Sequence, residues 1–239
     1  MESENNRTKI EILHFGKFDL LVNRLQSSIS EKELEALKNT VAEDLKDSQN
    51  GNLLISWKQG EDYRVRVDDR ASPSFVIKQK WIRPENYDFG KEEELENSSL
   101  SSDLEFRKMI YASASIMNEM SLATSIRKIV GSKEVQEIFR NSGVTSIDYI
   151  EPLIGIINKE TGEKNIIYKY AEGISLKKHL LKNPDLLKRM FSTIRRLEVI
   201  ITDKNIIPHD LQSNQFLAEI DADGRMALHL LDIDLFTKA

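Results

Sequence analysis

The spacing of hydrophobic residues divides the first part of the chain into helical and extended segments. Residues 31–46 have apolar side chains at helical spacing, and Ser30 and Glu33 form a capping-box pair at the start. Together these signals predict a helix. From Leu53 to Trp81 the hydrophobic period changes to two, with turns at residues 60 and 71–74. This pattern predicts three consecutive antiparallel strands. Residues 10–25 are apolar without a clear period and predict a short strand or helix.

The second part of the chain predicts longer helices around one more hairpin. A polar, acidic loop over 83–103 leads to a helix over 104–130, and Ser132 is placed to cap a second helix. Residues 150–171 predict a hairpin. Asn183 and Pro184 have the cap and first-turn chemistry that begins a helix. Its expected buried face consists of Leu186, Leu187, Met190, Phe191, Ile194, Leu197 and Ile201.

Two aspartates follow apolar stretches near the end of the sequence. Asp210 comes after Ile206 and Ile207, and Asp232 comes after the apolar residues 230–231. A hairpin with its turn at residues 221–224 is predicted between them. Carboxylates at the ends of short buried strands favour Mg²⁺, which prefers oxygen ligands.

Composition excludes several classes of function. The 239 residues contain no cysteine, so disulfides, thiolate metal sites and cysteine nucleophiles are excluded. A net charge of −5 argues against a surface that coats nucleic acid, and no partner of that kind is expected. The N-terminus is polar and no apolar run reaches the ~20 residues of a membrane span. We expect a cytoplasmic protein, or an effector delivered without a cleaved signal peptide.

The order of these features resembles the protein-kinase-like superfamily. Phe75-Val76-Ile77-Lys78 on a third strand is similar to the kinase V-A-I-K pattern, and His209-Asp210 and Asp232-Ile233-Asp234 are similar to H-R-D and D-F-G. The resemblance implies an α+β bilobal fold with an antiparallel five-stranded small lobe and a reduced, mainly helical large lobe. It implies an N-terminal helical extension over 1–52, the small lobe over 53–170 and the large lobe over 171–239.

The resemblance also implies catalytic residues. Lys78 would contact the α/β-phosphates of ATP, and Asp210 would act as base or orient the attacking hydroxyl. A helix glutamate would pair with Lys78. Glu119 is the first choice, and Glu134 and Glu137 remain alternatives.

Nucleotide and metal positions follow from the same resemblance. Tyr168 would stand at the back of the nucleotide pocket, the backbone of Lys169 and Ala171 would meet the adenine edge, and Gly173 would let the chain turn there. Gly60 is the one glycine between the first two strands, which leaves the glycine-rich loop incomplete. The implied Mg²⁺ ligands are Asp232, Asp234, Gln215 and Asn214.

The implied function is an ATP- and Mg²⁺-dependent phosphotransferase acting on a hydroxyl of a protein or small-molecule substrate. Gln215 replaces the usual asparagine and Asp234 the usual glycine, so the alternative is a catalytically inactive, pseudokinase-like module that binds a protein. Transfer of a nucleotide or another group by the same fold is a third possibility. A metal phosphohydrolase is disfavoured, because such enzymes need several more histidines beside the His-Asp pair. This chain has four histidines in all, and His209 and His229 are the only close pair.

Overall fold

The protein has a mixed α/β architecture with an antiparallel sheet and several helices. The computed structural model describes residues 10–47, 57–59, 65–68, 74–79, 116–160, 164–209, 211–231, 233 and 236–239. The described helices are α1 (Glu31–Asp47), α2 (Ile116–Val130), α3 (Lys133–Arg140), α4 (Leu176–Leu181) and α5 (Pro184–Thr202), with a 3₁₀ turn at Ser213–Gln215.

The described strands belong to two sheets and one two-stranded ladder. The first sheet contains β1 (Ile10–Phe15), β2 (Phe18–Asn23), β3 (Trp57–Gln59), β4 (Val65–Asp68), β5 (Phe75–Gln79), β7 (Pro152–Asn158) and β8 (Lys164–Lys169). The second contains β6 (Val144–Tyr149), β9 (Ile174–Ser175), β11 (Phe216–Ile220) and β12 (Met226–Leu230). The ladder pairs β10 (Ile206–Pro208) with β13 (Phe236–Lys238).

The first sheet has the order β1-β2-β7-β8-β5-β4-β3, and its neighbours are antiparallel. The predicted hairpin strands β3, β4 and β5 are confirmed, as is the hairpin β7–β8. The expectation of five strands was too low, because residues 10–23 add β1 and β2 beside β7. Strand β2 is buried along almost its whole length, which explains why its sequence shows no alternation.

Helix α1 covers one face of this sheet. The predicted capping box is confirmed, since Glu33 accepts hydrogen bonds from the Ser30 amide and hydroxyl and its own amide donates to Ser30 Oγ. The apolar face of α1 packs against inward side chains of β2, β5, β7 and β8. This layer is formed mainly by Leu34, Leu37, Val41, Leu45, Phe18, Leu20, Val22, Phe75, Ile77, Leu153, Ile156 and Ile167.

Helix α2 covers the opposite face and sits directly on strand β7. A Cβ built at Gly155 would overlap Ile116 Cγ2 and lie 3.2 Å from Met120 Cε. The missing side chain therefore lets the first turns of α2 approach the sheet backbone. Ile116 and Met120 form a buried cluster there with Ile166 and Tyr168 of β8.

A second core lies around the β6-β12-β11-β9 sheet. Strand β6 runs parallel to β12, and β11 is antiparallel to both β12 and β9. The helices α2, α3, α4 and α5 all contribute buried residues to this core. Ser132 caps α3 as predicted, accepting a hydrogen bond from the Val135 amide at 3.3 Å.

The start of α5 is where predicted, but its cap and buried face differ. Pro184 occupies the first turn, yet the Asn183 side chain donates to the His179 carbonyl of α4 and makes no cap bond. Leu187 and Phe191 were expected to be buried and are 44% and 62% exposed, because they lie on the side of α5 away from Met190 and Ile194. Among the described residues, no helix is both long and apolar enough for a membrane crossing.

Close packing at Gly155 predicts that a single added methyl group destabilises the fold. We expect Gly155→Ala to lower the free energy of unfolding by about 1–3 kcal/mol, because the new Cβ overpacks against Ile116. Urea unfolding of the single variants and the pair gives the test. In an Ile116→Ala background, which removes the overlapping atom, the same substitution should cost less. Equal costs in both backgrounds would contradict the packing explanation.

The backbone conformation at Gly173 predicts that an added methyl group there destabilises the fold more than one at Gly155. Gly173 has φ +140°, and a Cβ there would lie 2.9 Å from the Ala218 carbonyl oxygen of β11. We expect Gly173→Ala to cost more than about 2 kcal/mol, because backbone strain and a backbone clash add. Gly224→Ala is the matched control.

Gly224 also has a positive φ, +76°, but no atom lies within 4 Å of its added Cβ. Strain alone should cost about 1 kcal/mol there. Chemical denaturation of both variants makes the comparison. If Gly224→Ala were as damaging as Gly173→Ala, close approach to β11 would not be the reason.

Candidate functional site

Four candidate residues fall outside the described part of the chain: Gly60, Asp210, Asp232 and Asp234. Their assigned roles therefore stay predictions. Described residues flank both segments, namely His209, Leu211, Leu231, Ile233 and Phe236, and they locate the two segments relative to each other.

Lys78 lies on a strand between two neighbours of the first sheet. Its Cα is paired with Val65 of β4 and with Ile166 of β8. Because side chains alternate along a strand, Lys78 is on the same face as Val76, which packs in the cluster under α2. Lys78 is half-buried, so its stem lies against the covered face of the sheet rather than at an open edge.

Glu119 is the glutamate that helix α2 brings to this face. It is 1% exposed, and its Oε1 accepts a 2.6 Å hydrogen bond from the Tyr168 hydroxyl. Tyr168 is paired with Val76 on β5, two residues from Lys78. The alternatives Glu134 and Glu137 are exposed on α3. Of the three glutamates, Glu119 is the one that is buried, and its partner Tyr168 is on β8, the strand that pairs with the strand of Lys78.

The predicted hinge connects the first sheet to the second. The Tyr170 amide donates to the Ser74 carbonyl, which extends the β5–β8 pairing one residue past the end of β8. Lys169 is exposed and its Nζ donates to the Ser28 carbonyl at 3.3 Å, and Ala171 packs at the edge of the cluster under α2. The close approach at Gly173 is to the Ala218 backbone, which seats β9 on β11.

The candidate amide ligands lie on the 3₁₀ turn before β11. Gln215 is 6% exposed, and its Oε1 accepts a 2.8 Å hydrogen bond from the Gln212 amide. Its backbone carbonyl accepts from the amide of Leu231, the residue before Asp232. Asn214 is exposed. The fold thus brings Gln215 beside the segment that leads into Asp232, while the Gln215 side-chain oxygen already accepts one hydrogen bond.

The β10–β13 ladder places the flanks of the two aspartate segments side by side. Pro208 is paired with Phe236, and His209 Nε2 lies 2.9 Å from Thr237 Oγ1. Leu211 and Ile233 are both buried in the second core. The described neighbours of Asp210 and of the Asp232–Asp234 segment therefore meet at one end of this ladder.

Sequence reasoning missed one polar residue at this junction. Asn118, next to Glu119 on α2, donates a 2.6 Å hydrogen bond to the Phe236 carbonyl of β13. A lone asparagine in an amphipathic helix gives no sequence signal of a partner 118 residues away. The contact joins α2 to the strand that follows Asp234.

His229 contacts carboxylates of neighbouring strands on the second sheet. Its Nδ1 lies 2.6 Å from Asp148 Oδ1 on β6, and its Nε2 lies 3.2 Å from Glu219 Oε2 on β11. The hydrogen bond to Asp148 is the main cause that raises the pKa of His229 above its ordinary 6.5, against an opposing effect of burial. The described residues contain no group of three or more His, Cys, Asp or Glu side chains able to hold a metal ion.

The raised pKa of His229 predicts a pH-dependent contribution to stability. A raised folded-state pKa means that this contribution is complete below the unfolded pKa and is lost as pH rises through the folded one. We expect His229→Gln to lower the free energy of unfolding more at about pH 6 than at about pH 9, measured by urea unfolding.

His14→Gln is the control, because the His14–Asp19 pair has a similar 2.7 Å contact but a side chain that is 71% exposed. An exposed pair contributes little to stability. An equal His229→Gln effect at both pH values would show that the charged pair does not contribute.

Solved structures similar to this chain include a viral kinase. The kinase PK-1 of Cydia pomonella granulovirus is similar over 85% of this chain and 57% of that chain, with 15% sequence identity and a TM-score of 0.36. The chain thus spans less than two thirds of the length of that kinase. This likeness is too low to decide the fold or the function. No family model and no curated protein matches the sequence.

Proposed function

We propose that the protein is a kinase-like phosphotransferase that binds ATP with Mg²⁺ between the first sheet and the segment around Asp210. The observation that carries the proposal is the burial of Glu119 against Tyr168 of β8, the strand that pairs with the strand of Lys78. A carboxylate with 1% exposure is stable in such a place when hydrogen bonds and a cation compensate for lost hydration. Tyr168 supplies one hydrogen bond.

Lys78 is the cation that we assign to Glu119. It is on the face that α2 covers, two residues from Val76, whose cross-strand partner Tyr168 contacts Glu119. A lysine held in this way presents a fixed positive charge to phosphate oxygens. The ion pair is part of the proposal, and Lys78 would contact the α/β-phosphates of ATP.

The aspartates complete the proposed site. The pairing of β10 with β13 and the Leu231 bond to Gln215 support a common location for Asp210 and Asp232. Asp232, assisted by Asp234, would hold Mg²⁺, and Asp210 would orient the attacking hydroxyl. Mg²⁺ would neutralise charge on the transferred phosphoryl group. The phosphoacceptor would be a hydroxyl of a protein or a small molecule.

One observation favours a second candidate, a non-catalytic module that binds a protein partner. Gln215 Oε1 already accepts the Gln212 amide, and the Gln215 side chain is buried. An amide oxygen has two lone pairs, so this bond weakens the case for metal ligation without removing it. The two candidates differ in whether Mg²⁺ changes the affinity for nucleotide.

The test is a thermal-shift titration of ATP with and without Mg²⁺ on the wild type and Asp232→Ala. A ligand at about 100 times its Kd adds about 2.7 kcal/mol, which raises the Tm of a chain this long by roughly 5–10 °C. We expect a Mg²⁺-dependent rise in the wild type that Asp232→Ala abolishes.

Asp223→Ala is the matched control, because Asp223 is an exposed turn aspartate that pairs with Arg225. It should keep the full Mg²⁺-dependent rise. The absence of any shift in the wild type at millimolar ATP would contradict the nucleotide site. A shift without Mg²⁺ dependence would favour the non-catalytic module.

A further inference from the structure

Two consecutive residues of helix α2 are held by two different parts of the fold. Glu119 Oε1 accepts the Tyr168 hydroxyl at 2.6 Å, and Asn118 Nδ2 donates to the Phe236 carbonyl at 2.6 Å. Tyr168 belongs to β8 of the first sheet, whereas Phe236 belongs to β13 beside the aspartate segments. The first turn of α2 therefore connects the sheet that carries Lys78 to the strand that follows Asp234.

The Tyr168–Glu119 contact restricts the direction of the carboxylate. Tyr168 is 6% exposed and Glu119 is 1% exposed, so water does not compete for this hydrogen bond. A hydroxyl-to-carboxylate bond of 2.6 Å belongs to the short, charge-assisted class. It fixes one carboxylate oxygen on Tyr168, and the rest of the group is then held in one orientation.

The Asn118–Phe236 contact restricts the rotation of the helix. Neighbouring residues on an α-helix point about 100° apart. A rotation of α2 about its axis would therefore break the Asn118 bond and the Glu119 bond together. Close packing of Ile116 on Gly155 also limits movement of the helix toward the sheet.

We infer that Tyr168 and Asn118 are positioning residues that fix the first turn of α2 so that the Glu119 carboxylate stays directed at Lys78. The inference rests on the proposed function, because Lys78 and Glu119 matter as a pair when ATP binds. The Tyr168 hydroxyl then positions Glu119, while the Tyr168 ring stands at the back of the proposed nucleotide pocket. A site held in this way is competent before nucleotide arrives, so ATP binding does not have to select a rarer arrangement.

The experiment is calorimetric titration of Mg²⁺–ATP into the full chain. We expect Tyr168→Phe, which removes one oxygen and keeps the ring, to weaken binding about tenfold, equivalent to about 1.4 kcal/mol. Glu119→Gln should weaken binding at least as much, because the charge that orients Lys78 is lost. In the double variant, Tyr168→Phe should add little, since the two groups act as one unit.

Tyr149→Phe controls for the loss of a buried tyrosine hydroxyl, since Tyr149 is also 6% exposed but lies in the second core. It should keep the wild-type Kd, and circular dichroism should show that each variant is folded. Asn118→Ala alters a half-buried side chain and should weaken Mg²⁺–ATP in the same sense. It supplies the test if Tyr168→Phe does not fold.

The outcomes separate the inference from the proposed function. If the wild type binds Mg²⁺–ATP and Tyr168→Phe and Asn118→Ala bind it equally well, the positioning role is wrong and the nucleotide site stands. A lower Tm without a change in Kd would assign both residues a purely structural role and would also overturn the inference. If the wild type does not bind Mg²⁺–ATP, the proposed function and the inference both fail.

Discussion

The direct contact of helix α2 with strand β7 is the constraint on which the rest of the structure depends. Gly155 has no side chain, so Ile116 and Met120 reach the sheet backbone and close the cluster that includes Tyr168. Further along the same helix, Leu122, Ala123 and Ile126 are buried in the second core. Helix α2 thus contributes both to the cluster that contains Tyr168 and to the second core, and its close approach at Gly155 sets the relation between these two clusters.

The far end of α2 is held by an ion pair between a half-buried arginine and a buried carboxylate. Arg127 Nη1 lies 2.8 Å from Glu151 Oε1 and also donates to the Leu25 carbonyl and the Ser27 hydroxyl. Glu151, just before β7, is 1% exposed and also accepts the Ser27 amide. Such a pair adds little net stability but is costly to misplace. It therefore defines the register of α2 against the turn after β2.

Local chemistry explains which elements were predictable. The α1 capping box and the Ser132 cap need residues only three positions apart, and both formed as predicted. Strand β2 could not be distinguished from a helix, because it is buried on both faces and lacks alternation. Asn183 failed as a cap because its side chain found the His179 carbonyl of the preceding helix instead.

The candidate site also combines features that local residue spacing predicts with features that depend on distant contacts. Lys78 lies on the predicted third strand, but periodicity alone could not choose between Glu119, Glu134 and Glu137. All three lie on helices with apolar faces, and the choice depends on which helix face meets the first sheet. The contact of Asn118 could not be predicted from the sequence for a related reason. Its partner is a backbone carbonyl on β13, and long-range pairing of that kind leaves no trace in residue spacing.

The two sheets are joined by backbone contacts at the hinge, and this bears on the proposed nucleotide site. Strand β8 continues past Lys169 through the Tyr170–Ser74 bond, and Gly173 then packs on Ala218 so that β9 pairs with β11. Strand β11 begins directly after Gln215, whose carbonyl accepts the Leu231 amide. A short run of backbone therefore connects the strand of Tyr168 to the segment before Asp232. On the proposed function, this backbone connection holds the adenine side of the site next to the metal side. Helix α2 holds Glu119, the proposed partner of Lys78.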